Sequence, residues 1–142
     1  MPANLTRAEI GQIYREMPRL PDGESTRAEV ADALRAQIVE SHCGMLPDSQ
    51  VPAMLAVQQQ RDRRMAARLL AAPKPTLLIA GGFHARRDLG APLHLLDLGA
   101  AGNAQVLMLA EVGERVAAQQ ADFVWYTPAQ PARDYCEQMR KR

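Results

Sequence analysis

The sequence is poor in aromatics. Phe, Trp and Tyr together make up 4% of its 142 residues, too few for the aromatic and basic interleaving that stacks and holds nucleic acid. Charge of one sign is lacking too: the formal net charge is +1 and the basic residues are dispersed, so neither nucleic acid nor an acidic membrane surface is an expected partner. No apolar run approaches the roughly 20 residues of a membrane-spanning helix. The start, Met1-Pro2-Ala3-Asn4-Leu5, has no positive segment, apolar core, cleavage site or lipid-attachment site, which as written places the chain in the cytoplasm. Cysteine is scarce. Cys43 and Cys136 lie 93 positions apart, a spacing of no zinc-finger or Cys-x-x-Cys motif. They read as two reduced, partly buried thiols, since a disulfide would require export. Nucleophile elbow, phosphate loop and HExxH are all missing, so a serine hydrolase is not expected.

What is present is an ordinary globular composition, 47% hydrophobic and 23% charged, in a length suited to one modest domain. Thr6 with Glu9 and Thr26 with Glu29 each form the Thr-x-x-Glu pattern of a helix start. The pattern predicts helices over Thr6 to Met17 and Ser25 to His42, joined by the turn Pro18-Arg19-Leu20-Pro21-Asp22-Gly23. Val30, Leu34, Ile38 and His42 recur at four-residue spacing, so His42 ends an apolar stripe. A third helix is predicted over Gln50 to Leu70, with Met54, Gln58, Arg61, Met65 and Leu69 along one side. Gln58 and Arg61 need polar partners if that side is buried; otherwise the helix is partly exposed and Arg61 reaches solvent on its apolar stem.

The pattern changes after Pro73-Lys74-Pro75. Thr76 to Ala80 is a short continuous apolar run bounded by Pro and Gly, the mark of a buried parallel strand. Two further strands are predicted over Gln105 to Val112 and Asp122 to Thr127, with a helical connection over Gly113 to Gln120 and a solvated tail after Pro128. The fold class is therefore α/β: a helical N-terminal half followed by a small, mostly parallel sheet of about three strands. Residues 1–142 read as a single, partial domain with 1–23 as a helical lead-in. So few strands leave a parallel sheet poorly covered, and a partner chain or a further half would supply the rest.

Ligands of parallel α/β sheets gather where strands end. Gly81-Gly82 sits at such an end and permits close approach of a ligand or a backbone, and His84 follows at once. An imidazole there suits metal or haem iron, or a proton transfer near neutral pH. Asp88, four positions on, would orient the ring on a helical turn. Arg86 and Arg87 offer positive charge to a carboxylate or phosphate. The same residues also suit an ordinary turn with a structural histidine. His42-Cys43 is a second cluster of ligand types, although adjacent helical residues diverge and His42 also suits a helix C-terminus capped by Gly44. Tyr126 and Tyr135 have the phenolate chemistry of a ferric-haem ligand. His94 has no supporting context.

Four ordered blocks carry a resemblance to a known family. They are Ser41-His42-Cys43-Gly44-Met45-Leu46-Pro47; Gln59 with Arg61-Asp62 and Met65-Ala66; Ala80 to Pro92, read Ala-Gly-Gly-Phe-His-Ala-Arg-Arg-Asp-Leu-Gly-Ala-Pro; and Asp122 to Pro128 with Asp134-Tyr135-Cys136. Together they resemble the C-terminal half of the ChaN-like haem-binding uptake family of the Tiki/TraB-like superfamily. The resemblance implies an α/β fold, haem as cofactor, a homodimer with haem between subunits held by a tyrosine with help from histidine, and haem or iron handling at the bacterial envelope. It makes His84, His42, Tyr126, Tyr135, Arg86 and Arg87 the candidate haem contacts, with His84 the iron-facing candidate. Gly81, Gly82, Asp88, Arg61 and Asp62 become supporting residues. Family members are typically exported lipoproteins with an N-terminal Gly-Glu-x-His strand; the sequence shows neither feature, and Phe83 and Ala91 replace the commoner glycine and valine. The alternatives are a metal-dependent hydrolase of the same superfamily, with His84 as ligand or general base, and an inactive truncated paralogue.

Overall fold

The computed structural model describes residues 3–100 and 104–141. Its order is α1 (Arg7–Glu16), α2 (Ala28–Ser41), α3 (Val51–Ala71), the single turn α4 (Gly82–Ala85), α5 (Ala91–Asp97), β1 (Leu107–Glu111), β2 (Phe123–Thr127) and α6 (Tyr135–Arg140). The Thr6–Glu9 capping box forms: the Thr6 amide donates to the Glu9 carboxylate at 2.7 Å and the Glu9 amide donates to the Thr6 hydroxyl at 3.3 Å. Glu9 also accepts from Arg64 at 2.6 Å, fastening α1 to α3. These bonds, the Thr6 amide foremost, hold the Glu9 carboxyl down at about 2.

The Thr26–Glu29 box does not form. Thr26 closes a 3-10 turn, Glu24–Thr26, and its hydroxyl accepts from the Gly23 amide at 2.9 Å. The Glu24 and Ser25 amides of that turn are satisfied instead by a side chain 73 and 72 residues further along the chain. Asp97, the last residue of α5, accepts from the Glu24 amide at 2.6 Å and from the Ser25 amide and hydroxyl at 3.1 and 2.5 Å. Burial pushes its carboxyl up, but the bonds from Ser25 and Glu24 outweigh that and leave it below the usual range. Gly23 is needed here, since a β-carbon on it would stand 2.4 Å from Asp97 Oδ1.

The predicted stripe of α2 is the core. Val30, Leu34 and Ile38 cluster with Leu55 of α3 and with Leu89 and Leu93 around the start of α5. Each such side chain stabilises the fold by about 1.5–3 kcal/mol through apolar burial. The long helix α3 packs against α1, α2 and α5, which buries Asp62 and half-buries Gln58 and Arg61, while Arg68 near its end stays exposed. Arg61 is half-buried, and its Nε is buried and without a hydrogen-bond partner among the described residues.

Among the described residues the sheet has two strands rather than about three. β1 and β2 pair in parallel, with Leu107 opposite Phe123, Leu109 opposite Trp125 and Ala110 opposite Tyr126. Thr76 to Ala80 joins no ladder among the described residues, and Leu77 and Ile79 are 82% and 88% exposed. A strand is defined by its neighbour's hydrogen bonds, and an apolar run alone cannot supply one. β1 begins at Leu107 rather than Gln105, because the Val106 amide donates to the Asp122 carboxylate at 2.7 Å. The predicted helical connection over Gly113 to Gln120 is a pair of turns, opened by Gly113 at φ +102. The tail after Pro128 is exposed, as expected of a solvated end, and it closes in a short helix: Asp134 caps α6 through the Glu137 amide at 2.8 Å, and Cys136 forms a disulfide with Cys43. The two cysteines are therefore bonded, not reduced thiols.

Candidate functional site

The turn after residue 80 is where the fold concentrates polar chemistry. α4 is only one turn long, closed by the His84 amide donating to Gly81 O at 2.9 Å and the Ala85 amide at 3.2 Å. Gly90 fixes its position. A β-carbon there would lie 2.2 Å from the His84 carbonyl oxygen, so only glycine lets α5 start directly against the backbone of the histidine turn. Gly81 and Gly82 are not demanded by positive φ. Gly81 faces the ring edge, with its absent β-carbon 3.9 Å from His84 Cδ2, and Gly82 lies against the end of the Met108 side chain.

The His84 ring is held by α3. Its Nδ1 is 2.5 Å from Asp62 Oδ1, and the Asp62 side chain is 0% exposed against 19% for the histidine. Gln58, one turn earlier, brings its amide nitrogen to 3.3 Å from Asp62 Oδ2 and 3.1 Å from His84 Nδ1. Burial pushes the Asp62 carboxyl above its ordinary value, and the bond from His84 opposes this first, followed by its charge and by Gln58 and Arg61. The Nε2 atom of His84 has no hydrogen-bond partner among the described residues. The result is a half-buried imidazole anchored on one nitrogen and unpaired on the other among the described residues, at an exposed glycine bend beside Phe83. That geometry serves a metal ligand or a general base.

Other sequence candidates fall differently. Asp88 does not orient His84: its carboxylate takes both Nε and Nη2 of Arg86, at 2.8 and 2.6 Å, because α4 ends before Asp88 comes round to the ring. Arg86 also lies 5.9 Å from the centroid of Phe83. Arg87 pairs with Asp122 at 2.8 Å, tying the turn to the start of β2. Both arginines are thus committed within the chain. His42 caps α2, its Nδ1 donating to Ile38 O at 2.7 Å, and no hydrogen bond joins it to His84. The left-handed residues there are Cys43 at φ 56 and Gly44 at φ 68. Tyr126 on β2 and Tyr135 at the start of α6 are both exposed. Among the described residues, no three His, Cys, Asp or Glu side chains converge to hold a metal ion.

Gln58 and Asp62 are the working partners that spacing alone did not single out. The signal was present in part: a glutamine and an arginine on an otherwise apolar stripe demand partners. His94 and Gly90 carried no such signal. His94 is 1% exposed with Nδ1 unpaired, and burial, reinforced by Arg63 and opposed by Asp97, pushes its pKa down to about 4.

Residues 3–95 match the family model described as haem-binding uptake, Tiki superfamily, ChaN. The chain belongs to this family. A solved structure, that of cofacial heme binding to ChaN of Campylobacter jejuni, is 34% identical, with a TM-score of 0.77 over 86% of this chain. The match covers 48% of the ChaN chain, so this chain spans about half the length of that structure. No curated protein matches it. The ChaN-like assignment bears out the α/β reading, and the Asp62–His84 pair and Gly90 all lie within the matched segment. No helix of the ChaN-like chain, among the described residues, is long and apolar enough to cross a membrane.

Proposed function

We propose that the chain binds haem through Nε2 of His84 and handles it in haem or iron uptake. One observation carries the reading: within a haem-binding family segment, His84 keeps Nε2 uncommitted while a fully buried carboxylate holds Nδ1. The donor set fits the group. A neutral imidazole is an ordinary ligand type for haem iron, and exposed Phe83 with the half-buried Met108 side chain would give the bend an apolar lining for a porphyrin edge. Haem, when bound, would supply a redox-active iron that a side chain can ligate. This chain's residues supply the ligand, its orientation and partial exclusion of water. Tyr126 and Tyr135 stand exposed as further ligands in a homodimer, the assembly this reading expects for haem held between two copies. His42, already bonded to Ile38 O, is a helix cap in this scheme.

The disulfide supports a location outside the reducing cytoplasm, in keeping with a role at the envelope. The test is a haemin titration of the purified chain, followed in the Soret band and by sedimentation. A saturable shift is expected, weakened at least tenfold by His84→Ala and unchanged by His42→Ala, with a rise in mass on loading. A response that rises linearly with haemin without saturating would sink the reading.

A further inference from the structure

The end of the chain gathers sulfur. Cys136 and Met139 lie three residues apart on α6 and so share one face of that helix. Both sulfurs reach the end of α2: Cys136 is bonded to Cys43, and Met139 Sδ stands 3.8 Å from Cys43 Sγ. A bonded cysteine carries no thiol proton, so this is a contact between sulfurs rather than a hydrogen bond. Apart from it and the disulfide, no hydrogen bond or ion pair joins Tyr135–Arg140 to the rest of the described residues. Three soft donors from two helices thus meet at one point.

The Cys43 side is built to stay when the bond opens. Cys43 has φ 56, in the left-handed region that a side chain occupies at a cost. Its amide donates to Glu40 O at 2.9 Å, the Gly44 amide to Val39 O at 3.0 Å and the Met45 amide to His42 O at 3.0 Å. These backbone bonds fix the turn without the disulfide. The α6 side is different. Its six residues, capped by Asp134, are too few to persist as a helix alone, so α6 needs a fastening.

We propose that the Cys43–Cys136 bond masks a soft-metal site: once reduced, the chain holds one Cu(I) ion between the two thiolates and the Met139 thioether. Thiolate and thioether donors suit a soft monovalent ion. Zinc draws instead on Cys, His and carboxylate, and no three of those converge among the described residues. Sulfurs each about 2.3 Å from one ion stand roughly 4 Å apart in a trigonal arrangement, and the Met139–Cys43 contact already spans 3.8 Å. A dithiol reductant gives two electrons and two protons to the sulfur–sulfur bond and itself becomes a disulfide. Cu(I) then displaces both thiol protons to solvent and takes over the fastening of α6.

The test uses the full, haem-free chain, reduced with dithiothreitol and desalted without oxygen, and Cu(I) supplied as its bicinchoninate complex. The reduced chain is expected to withdraw one Cu(I) and the oxidised chain none, and X-ray absorption to show a first shell of sulfur alone. Met139→Leu should lower the affinity by roughly tenfold or more, while its oxidised form still shows no free thiol. Hydrogen exchange supplies a readout that stray thiol binding does not move: protection of Tyr135–Arg140 should fall on reduction and return with the metal. No uptake by the reduced chain, or equal uptake by the oxidised one, overturns the proposal. So does nitrogen or oxygen in the shell, an unchanged affinity in Met139→Leu, or bound metal that leaves Tyr135–Arg140 unprotected.

Discussion

The helices and the strands of this chain differ in how far their apolar side chains are covered. Leu34, in the middle of α2, keeps 1% of its surface, whereas Leu109, in the middle of β1, keeps 70%. Helices satisfy their own backbone and bury a stripe against one another. A parallel strand needs neighbours at its edges and cover on its faces. β1 and β2 have each other, and Leu107, Leu109, Phe123 and Trp125 line one face left exposed among the described residues. Contiguous apolar surface of this kind marks a place where polypeptide or ligand packs. The uncovered strands go with a match that spans 48% of the ChaN chain. The helical layer is thus a self-sufficient core, and the sheet is an open side that the same chain leaves unfinished.

The largest expected effect sets the two regions side by side. Leu34→Ala should cost about 3–4 kcal/mol in urea denaturation, as a transfer loss plus a cavity. Leu109→Ala should cost under ~0.5 kcal/mol, as an exposed substitution does. Equal losses would mean that the strand face is covered in solution, and the contrast would collapse.

A second effect belongs to the helical layer alone. The fold holds His94 neutral, with a pKa near 4, while the unfolded chain binds a proton at the usual 6.5. Stability is therefore complete above pH 6.5 and falls as pH drops towards 4. The loss is about 3 kcal/mol from this group. Stability curves of His94→Phe should lack that fall over the same window; a mutant that still follows the wild-type slope would assign it elsewhere.

The smallest effect is at the cross-link between the end of α2 and α6. Replacing both Cys43 and Cys136 by serine should cost about 2 kcal/mol, near the lower end for a disulfide, because α6 is largely exposed. Hydrogen exchange should show Tyr135–Arg140 losing protection while α3 keeps its own. Protection lost across α3 would show that the bond supports the whole core.

The parts of the molecule that the sequence makes legible are those set by local pattern. The Thr6–Glu9 cap, the Val30-Leu34-Ile38 stripe, the three long helices and the two pairing strands all follow from neighbours a few residues apart. The family blocks point to His84 in the same way. What escapes is tertiary. Asp62 meets His84 across 22 residues, and Asp97 reaches Ser25 across 72; no periodicity encodes either contact. Asp88 was the wrong partner for the ring because a four-residue offset orients a side chain only while the helix continues, and α4 stops at Ala85. Thr76 to Ala80 has a strand's composition, but a strand also needs an edge to pair with. Cys43 and Cys136 fit no spacing motif, since their pairing depends on α6 folding back to the end of α2.

That cross-link has a topological consequence. Residues 43 and 136 close a covalent ring that contains α3, the histidine turn, α5 and both strands. One backbone cut anywhere within the ring opens it without releasing a fragment. A protease-nicked molecule would keep Asp62 and His84 on one linked body, and would part into two pieces only when a reductant is added.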